Sequence, residues 1–216
     1  MSSQAGSNPP DRPVLLVEKR KVPVRRVNAA YRSREYLLDK EVTALVSAAA
    51  HCGRHGVRDA ALILLAYRHG LRVSELVSLR WDQVDLVQGL LHVARLKRGL
   101  PSVHPLRGPE LLRGPELRAL RRLQRAYPET AYLFVSERKA PLTTDAVRKI
   151  VGRAGRQAGL PFSMHPHMLR HATGYKLAND GQDTQAIQQY LGHRNIQHTT
   201  RYTELASDRY KDFWYD

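Results

Sequence analysis

Only one cysteine, Cys52, stands among the 216 residues. A single thiol closes no internal disulfide and builds no cysteine-based zinc site, so a reducing cytoplasm is the expected home. Cys52 ends an Ala-rich apolar stretch and reads as a packing residue. No apolar run reaches the roughly 18 residues that a membrane-spanning helix needs. The polar, Pro-rich N-terminus carries no signal-peptide pattern. Acidic residues are scarce beside basic ones, 20 Asp and Glu against 35 Lys and Arg, for a net charge of +15. That surplus favours a polyanion, nucleic acid ahead of a membrane surface. A cytoplasmic, nucleoid-associated protein with no membrane partner is therefore expected.

Residues 1–35 read as a disordered basic tail, rich in Ser, Gly and Pro and carrying Lys19-Arg-Lys21 and Arg25-Arg26. Such a tail can lie along phosphates, resemble an import signal, or simply be solvated. Residues 36–216 read as one globular domain. Asp39 is the expected N-cap of a helix to about Ala50, and a second helix runs from about Val57 to His69 and stops at Gly70. A short helix then carries Ser74, Glu75 and Leu76. Between Trp81 and Leu106, strand-like runs broken by Gly89 and Gly99 predict a small antiparallel sheet, with Lys97-Arg-Gly99 turning between its last two strands. Arg107-Gly-Pro-Glu-Leu-Leu112 is almost repeated by Arg113-Gly-Pro-Glu-Leu-Arg118, an insertion before a helix that begins at Pro115. Thr143 or Thr144 caps a helix to about Ala158. Helices follow over His167–Asn179, Thr184–Leu191 and Ile196–Tyr202, with a final amphipathic piece. The fold class is mainly α with a small antiparallel β-sheet (α+β).

The densest chemistry is His165-Pro-His-Met-Leu-Arg-His171. His167 and Arg170, three apart on a helix, share a face, and Arg170 can clamp a phosphate. His171 follows Arg170, is expected to point elsewhere and reads as structural; His165 reads as a loop histidine. Most of the ten tyrosines, including Tyr67, Tyr175 and Tyr190, fall on apolar faces. Tyr202 differs, because it follows His193, His198 and Arg201 in a polar stretch. Its phenol, ionised at only about 0.1% at pH 7, needs cationic neighbours or a base to act as a nucleophile. Two other readings fit parts of the pattern. His167 and His171 have zinc spacing, but no Glu lies between them and Arg170 would oppose a cation. Thr184 to His193, followed by Asn195, also fits a helix-turn-helix, which would make the chain a DNA-binding regulator.

Taken in order, these residues resemble the boxes of the tyrosine recombinases, or phage-type integrases. Gly70-Leu-Arg72-Val-Ser-Glu75-Leu76 is similar to the first box, with Arg72 as its phosphate-binding arginine. Lys97 matches the family's hairpin lysine, with Arg98 beside it. His167 and Arg170 match His-x-x-Arg, and His193 matches Leu-Gly-His with Tyr202 after it. The resemblance covers about Leu37 to Tyr210. Within the family, His165–His171, Leu177-Ala-Asn179 and Tyr190–Ile196 most resemble the short invertases of fimbrial switches.

The resemblance implies the tyrosine recombinase catalytic fold without a separate N-terminal core-binding domain. It implies a site made of Arg72, Lys97, His167, Arg170, His193 and Tyr202. Tyr202 would attack a DNA phosphate to leave a 3′-phosphotyrosyl link, and inversion or integration would follow. Arg72 and Arg170 would neutralise the phosphate, Lys97 would act as general acid, and the two histidines would hydrogen-bond the phosphate. Glu75 reads either as a support for Arg72 or as a plain surface residue. No metal and no nucleotide cofactor is implied. A homotetramer on paired DNA sites is implied, with room for accessory DNA-bending proteins. Tyr210, Phe213 and Trp214 would dock in cis or in trans. Nicking or relaxation without strand exchange is the alternative enzymatic reading.

The charge surplus makes a direct prediction. Duplex affinity, followed by fluorescence anisotropy, should fall linearly with salt on a log–log plot. The loss should be about 10³-fold or more between about 50 and about 200 mM if six or more phosphates are neutralised. Affinity indifferent to salt would remove the polyanion reading.

Overall fold

Apolar residues at helical spacing build the scaffold. The structure is a computed structural model and describes residues 36–95, 100–106 and 114–204. The expected tail, Lys97 with its turn, the first copy of the duplication and the final piece with Tyr210, Phe213 and Trp214 lie outside the described residues. Helix α1 (Asp39–His51) buries Val42, Leu45 and Ala49, one stripe of a 3.6-residue period. Asp39 is not its N-cap. Leu38 takes that place, with Glu41 accepting from the Leu38 N–H at 2.9 Å. The Asp39 carboxylate is instead engaged by the Tyr67 hydroxyl at 2.6 Å.

Helix α2 (Gly56–Arg68) is buried along most of its length and packs against α1, α4 and α6. It ends at Gly70, whose φ of +55° is readily adopted only by glycine. The short α3 (Val73–Val77) follows at once. Strands β1 (Val84–Asp85), β2 (Leu90–Val93) and β3 (Ser102–Pro105) form an antiparallel sheet in the order β1-β2-β3. Leu91 pairs with His104, and both are fully buried. The sheet lies where the sequence places it.

Helix α4 (Pro115–Ala126) starts with Pro115 at its first position, where the missing N–H costs nothing. Helix α5 (Thr144–Gln157) is capped by Thr143, whose hydroxyl accepts from the Ala146 N–H at 3.1 Å. Helices α6 (Pro166–Asn179), α7 (Thr184–Leu191) and α8 (Gln197–Glu204) complete the described fold. The main core runs from Leu37 to Ala172 in sequence. A second cluster unites Tyr175, Ala178, Ile187, Leu191 and Tyr202 from α6, α7 and α8. Among the described residues no helix is long and apolar enough to cross a membrane.

A polar pair sits inside this apolar frame. His69 Nδ1 lies 3.3 Å from His104 Nδ1, and Arg95 Nη2 lies 3.4 Å from His104 Nε2. An arginine only donates, so His104 Nε2 accepts and its proton sits on Nδ1, directed at His69. Burial holds both imidazoles neutral. It keeps His69 well below its ordinary 6.5, while burial and then Arg95 bring His104 down to about 3. Below pH 6.5 the unfolded chain takes up protons that these rings refuse, so stability falls as the pH falls. Glu116 works the other way, because burial raises its carboxyl from 4.5 to about 7 and makes stability fall with rising pH. His167, His171 and His193 are lowered as well, so the histidines together outweigh one glutamate. The urea midpoint at about pH 5 should therefore lie below that at about pH 7.5, each unopposed histidine lowering the folding constant tenfold per unit. An equal or higher midpoint at the lower pH would contradict this.

Candidate active site

The C-terminal turn of α7 organises the site. The last carbonyls of any helix lack partners within it and carry its negative dipole end, so they attract cations. Here three arginines from elsewhere in the chain donate to three successive carbonyls. Arg95 donates to Tyr190 O, Arg170 to Leu191 O at 2.7 Å, and Arg72 to Gly192 O at 3.5 Å. Arg170 also donates to Gly70 O, beside the first box. The two expected phosphate-binding guanidiniums, almost a hundred residues apart in sequence, are thereby fixed on adjacent peptide units.

Glu75 holds the cluster from the other side. One oxygen accepts from Arg72 Nη1 at 2.8 Å; the other accepts from the Arg72 N–H at 2.9 Å and from Arg95 Nη1 at 3.0 Å. Glu75 is 1% exposed, so the surface reading fails and the supporting one holds. Arg95 had no role assigned from sequence, yet its side chain is wholly buried and joins α3, α7 and the end of β2. Its position two residues before Lys97 gives no hint of this, because the partners are distant in the chain. Arg170 is itself buried, and burial followed by Arg72 and Arg95 pulls its pKa down to about 9, still charged at neutral pH.

The imidazoles fall into distinct environments. His193 follows Gly192, a C-cap with φ +66°. His193 Nδ1 is hydrogen-bonded to the buried Thr199 hydroxyl at 2.8 Å, which fixes the ring and leaves Nε2 for a ligand. Burial, then Arg170 and Arg72, lowers His193 to about 3. His167 stands exposed in the first turn of α6. Its pKa is lowered by the surrounding protein first, then by Arg170, His165 and Arg72. Its ring meets that of His171 edge-on, with centroids 4.6 Å apart.

The expectation that His171 points away from the site is not met. His171 Nδ1 lies 2.9 Å from the Tyr202 hydroxyl. One residue beyond Arg170, the helix has turned toward α8, which packs on α6 at this point. Tyr202 is 2% exposed, and its ring lies over Gly174, where an added Cβ would come within 2.6 Å of it. Burial raises the phenol pKa, against the opposing pull of Arg170 and Arg201. Arg72, His167, Arg170, His193 and Tyr202 thus converge through α3, α6, α7 and α8. Among the described residues, no group of three or more His, Cys, Asp or Glu could hold a metal ion, and His167 and His171 have no third companion.

A cluster of this kind, with a tyrosine within electrostatic reach of two anchored arginines, has the groups that phosphodiester chemistry needs. The model of the phage integrase family matches residues 35–209, and the chain belongs to that family of tyrosine recombinases. It is 45% identical over 181 residues to the type 1 fimbriae regulatory protein FimE of Escherichia coli K12, covering 84% of this chain and 91% of FimE. It resembles the crystal structure of XerA recombinase with a TM-score of 0.68 and 26% identity, covering 82% of this chain and 63% of that one. A lambda integrase tetramer bound to a Holliday junction shares the fold, with a TM-score of 0.60 at 23% identity over 74% of this chain and 47% of that one. The regulator reading of α7 and α8 is not favoured, since the recombinase family match spans both helices.

Glu75 is the most sensitive support. Glu75→Ala leaves Arg95 buried without its carboxylate, a loss of about 3–5 kcal/mol in urea unfolding. A loss below about 1 kcal/mol would mean that the carbonyls alone hold the cluster.

Proposed function

We propose that this tyrosine recombinase cuts and rejoins duplex DNA at specific sites through Tyr202, and that its biological reaction is inversion of a DNA segment. The observation that carries the site assignment is the anchoring of Arg72 and Arg170 on the adjacent carbonyls of Gly192 and Leu191, with His193 next in the chain. Two guanidiniums anchored on adjacent peptide units could each address one non-bridging oxygen of a phosphate. Arg170 is held by two carbonyls and Arg72 chiefly by Glu75, so little reorganisation is needed when charge develops.

The Tyr202 oxygen attacks phosphorus, and the bond to the 5′-oxygen breaks. Arg72 and Arg170 neutralise the pentacovalent charge, while His167 and His193 hydrogen-bond the phosphate. Lys97 protonates the leaving 5′-oxygen. The 3′-phosphotyrosyl link keeps the energy of the broken ester, so rejoining to a partner strand needs no nucleotide cofactor. The likeness to FimE over 91% of its length supports the inverting reaction. The lambda integrase tetramer on a junction supports assembly of four protomers on paired sites.

A suicide duplex, nicked near the cleavage point so that the 5′-end diffuses away, tests the assignment. Wild-type protein should form a covalent adduct that resists EDTA. Tyr202→Phe should form none while binding the duplex as before. No adduct from wild type would refute covalent catalysis. An adduct without inversion, excision or integration on two-site plasmids would leave nicking and relaxation as the activity.

A further inference from the structure

We infer that His171 is the proton acceptor for the Tyr202 hydroxyl during cleavage and returns that proton to the same oxygen during rejoining. The inference rests on Tyr202 being the nucleophile, as proposed above. It concerns a histidine that the family resemblance does not place among the six site residues.

Position sets His171 apart from the other imidazoles. His193 Nδ1 is occupied by Thr199 at 2.8 Å, and the His193 ring stands 6.3 Å from that of Tyr202, centre to centre. His167 contacts His171 rather than the phenol. His171 Nδ1, at 2.9 Å, is in hydrogen-bond contact with the phenol oxygen. A general base must reach the proton it removes, and this one already does.

The contact is fixed from both sides. Gly174 lies one turn along α6 from His171, and the Tyr202 ring occupies the space a side chain there would fill. Tyr175 packs edge-on against the same ring, with centroids 5.1 Å apart. Thus α6 supplies a seat at Gly174, a wall at Tyr175 and an acceptor at His171. The phenol, raised by burial, is protonated at rest and has a proton to give.

The charged and titratable groups facing His171 are His165, His167 and Arg170 on α6 or its N-cap, and Arg201 and Tyr202 on α8. Burial first, then His167, Arg201 and Arg170, keeps His171 neutral, with a pKa of about 3. A neutral imidazole has a free lone pair, but at rest it is too weak a base to ionise the phenol. A DNA phosphate entering beside Arg72 and Arg170 brings negative charge, which favours imidazolium. Proton acceptance is thereby tied to the presence of substrate. In the step itself the Tyr202 Oη–P bond forms, the P–O5′ bond breaks, the phenol proton moves to His171 Nδ1, and Lys97 protonates the 5′-oxygen. Rejoining reverses each transfer.

Single-turnover cleavage of the nicked suicide duplex between about pH 6 and pH 9 tests this, with binding followed by anisotropy and folding by circular dichroism. His171→Ala should bind DNA as wild type does and form the adduct about 100-fold more slowly at neutral pH. Its rate should rise tenfold per pH unit to the top of the range, where the wild-type rate has levelled, and added imidazole should restore part of it. His171→Asn keeps a polar atom near the phenol but cannot take its proton, so it should be as slow as the alanine variant. If His171→Ala does not fold, the asparagine variant carries the comparison. Wild-type cleavage by either variant, or faster cleavage, would overturn the inference. Absence of an adduct from wild type would instead remove the nucleophile itself.

Discussion

Three successive carbonyls at the end of α7 hold three arginines, and the site depends on that arrangement. Left to themselves, Arg72, Arg95 and Arg170 would repel one another. The partnerless helix carbonyls and the negative dipole end offset that repulsion from one side, and the Glu75 carboxylate offsets it from the other. Gly192 makes the geometry possible. Its left-handed backbone turns the chain out of α7 toward His193, and a Cβ there would come within 2.9 Å of the Arg95 side chain. The turn that ends the helix therefore also makes room for the arginine that braces it.

Burial gives this cluster its precision. Arg170 and Glu75 are each 1% exposed, so their charges have left water and survive only because their partners are in place. An arginine on a solvated loop would meet a phosphate by giving up its own hydration and rotamer freedom. Arg170 has already lost both on folding. A guanidinium so held would lose little to reorganisation on meeting a phosphate. The sheet joins the same network, because Arg95 follows β2 closely and His104 on β3 touches its guanidinium. The strand pair is thus tied to the α3–α7 junction, and the chain that leaves β2 toward Lys97 starts from a fixed point.

The sequence made some of this legible and hid the rest, for physical reasons. Helices α2 and α7 can be read because the glycines that follow them, Gly70 and Gly192, are local stop signals. The sheet could be read from glycine-broken alternation. The ordered boxes pick out Arg72, His167, Arg170, His193 and Tyr202 as candidate site residues, and the fold places them on or beside α3, α6, α7 and α8. Arg95 was hidden because its meaning lies in Tyr190 and Glu75, both distant in the chain. Glu75 stayed ambiguous because spacing alone does not reveal burial. The partner of His171 is hidden because adjacency to Arg170 settles which way it does not face, whereas the partner is decided by where α8 packs. Asp39 looked like a cap, and the Tyr67 hydroxyl on α2 takes up its carboxylate instead.

Tyr202 carries the sharpest conflict in the molecule. It belongs to the small core of α6, α7 and α8, where its ring stabilises the packing of α8, and it bears the hydroxyl proposed to attack DNA. Core burial raises its pKa and keeps it neutral, which protects the phenol from reacting without substrate. The same burial would disable a nucleophile that had to ionise unaided. The two demands are reconciled if ionisation is driven locally, by a base already in contact and by arginines that strengthen their effect as water leaves. A phosphate then supplies the missing charge at the moment it is needed. On that proposal the nucleophile can remain part of the core, because its activation depends on the phosphate that binds beside it.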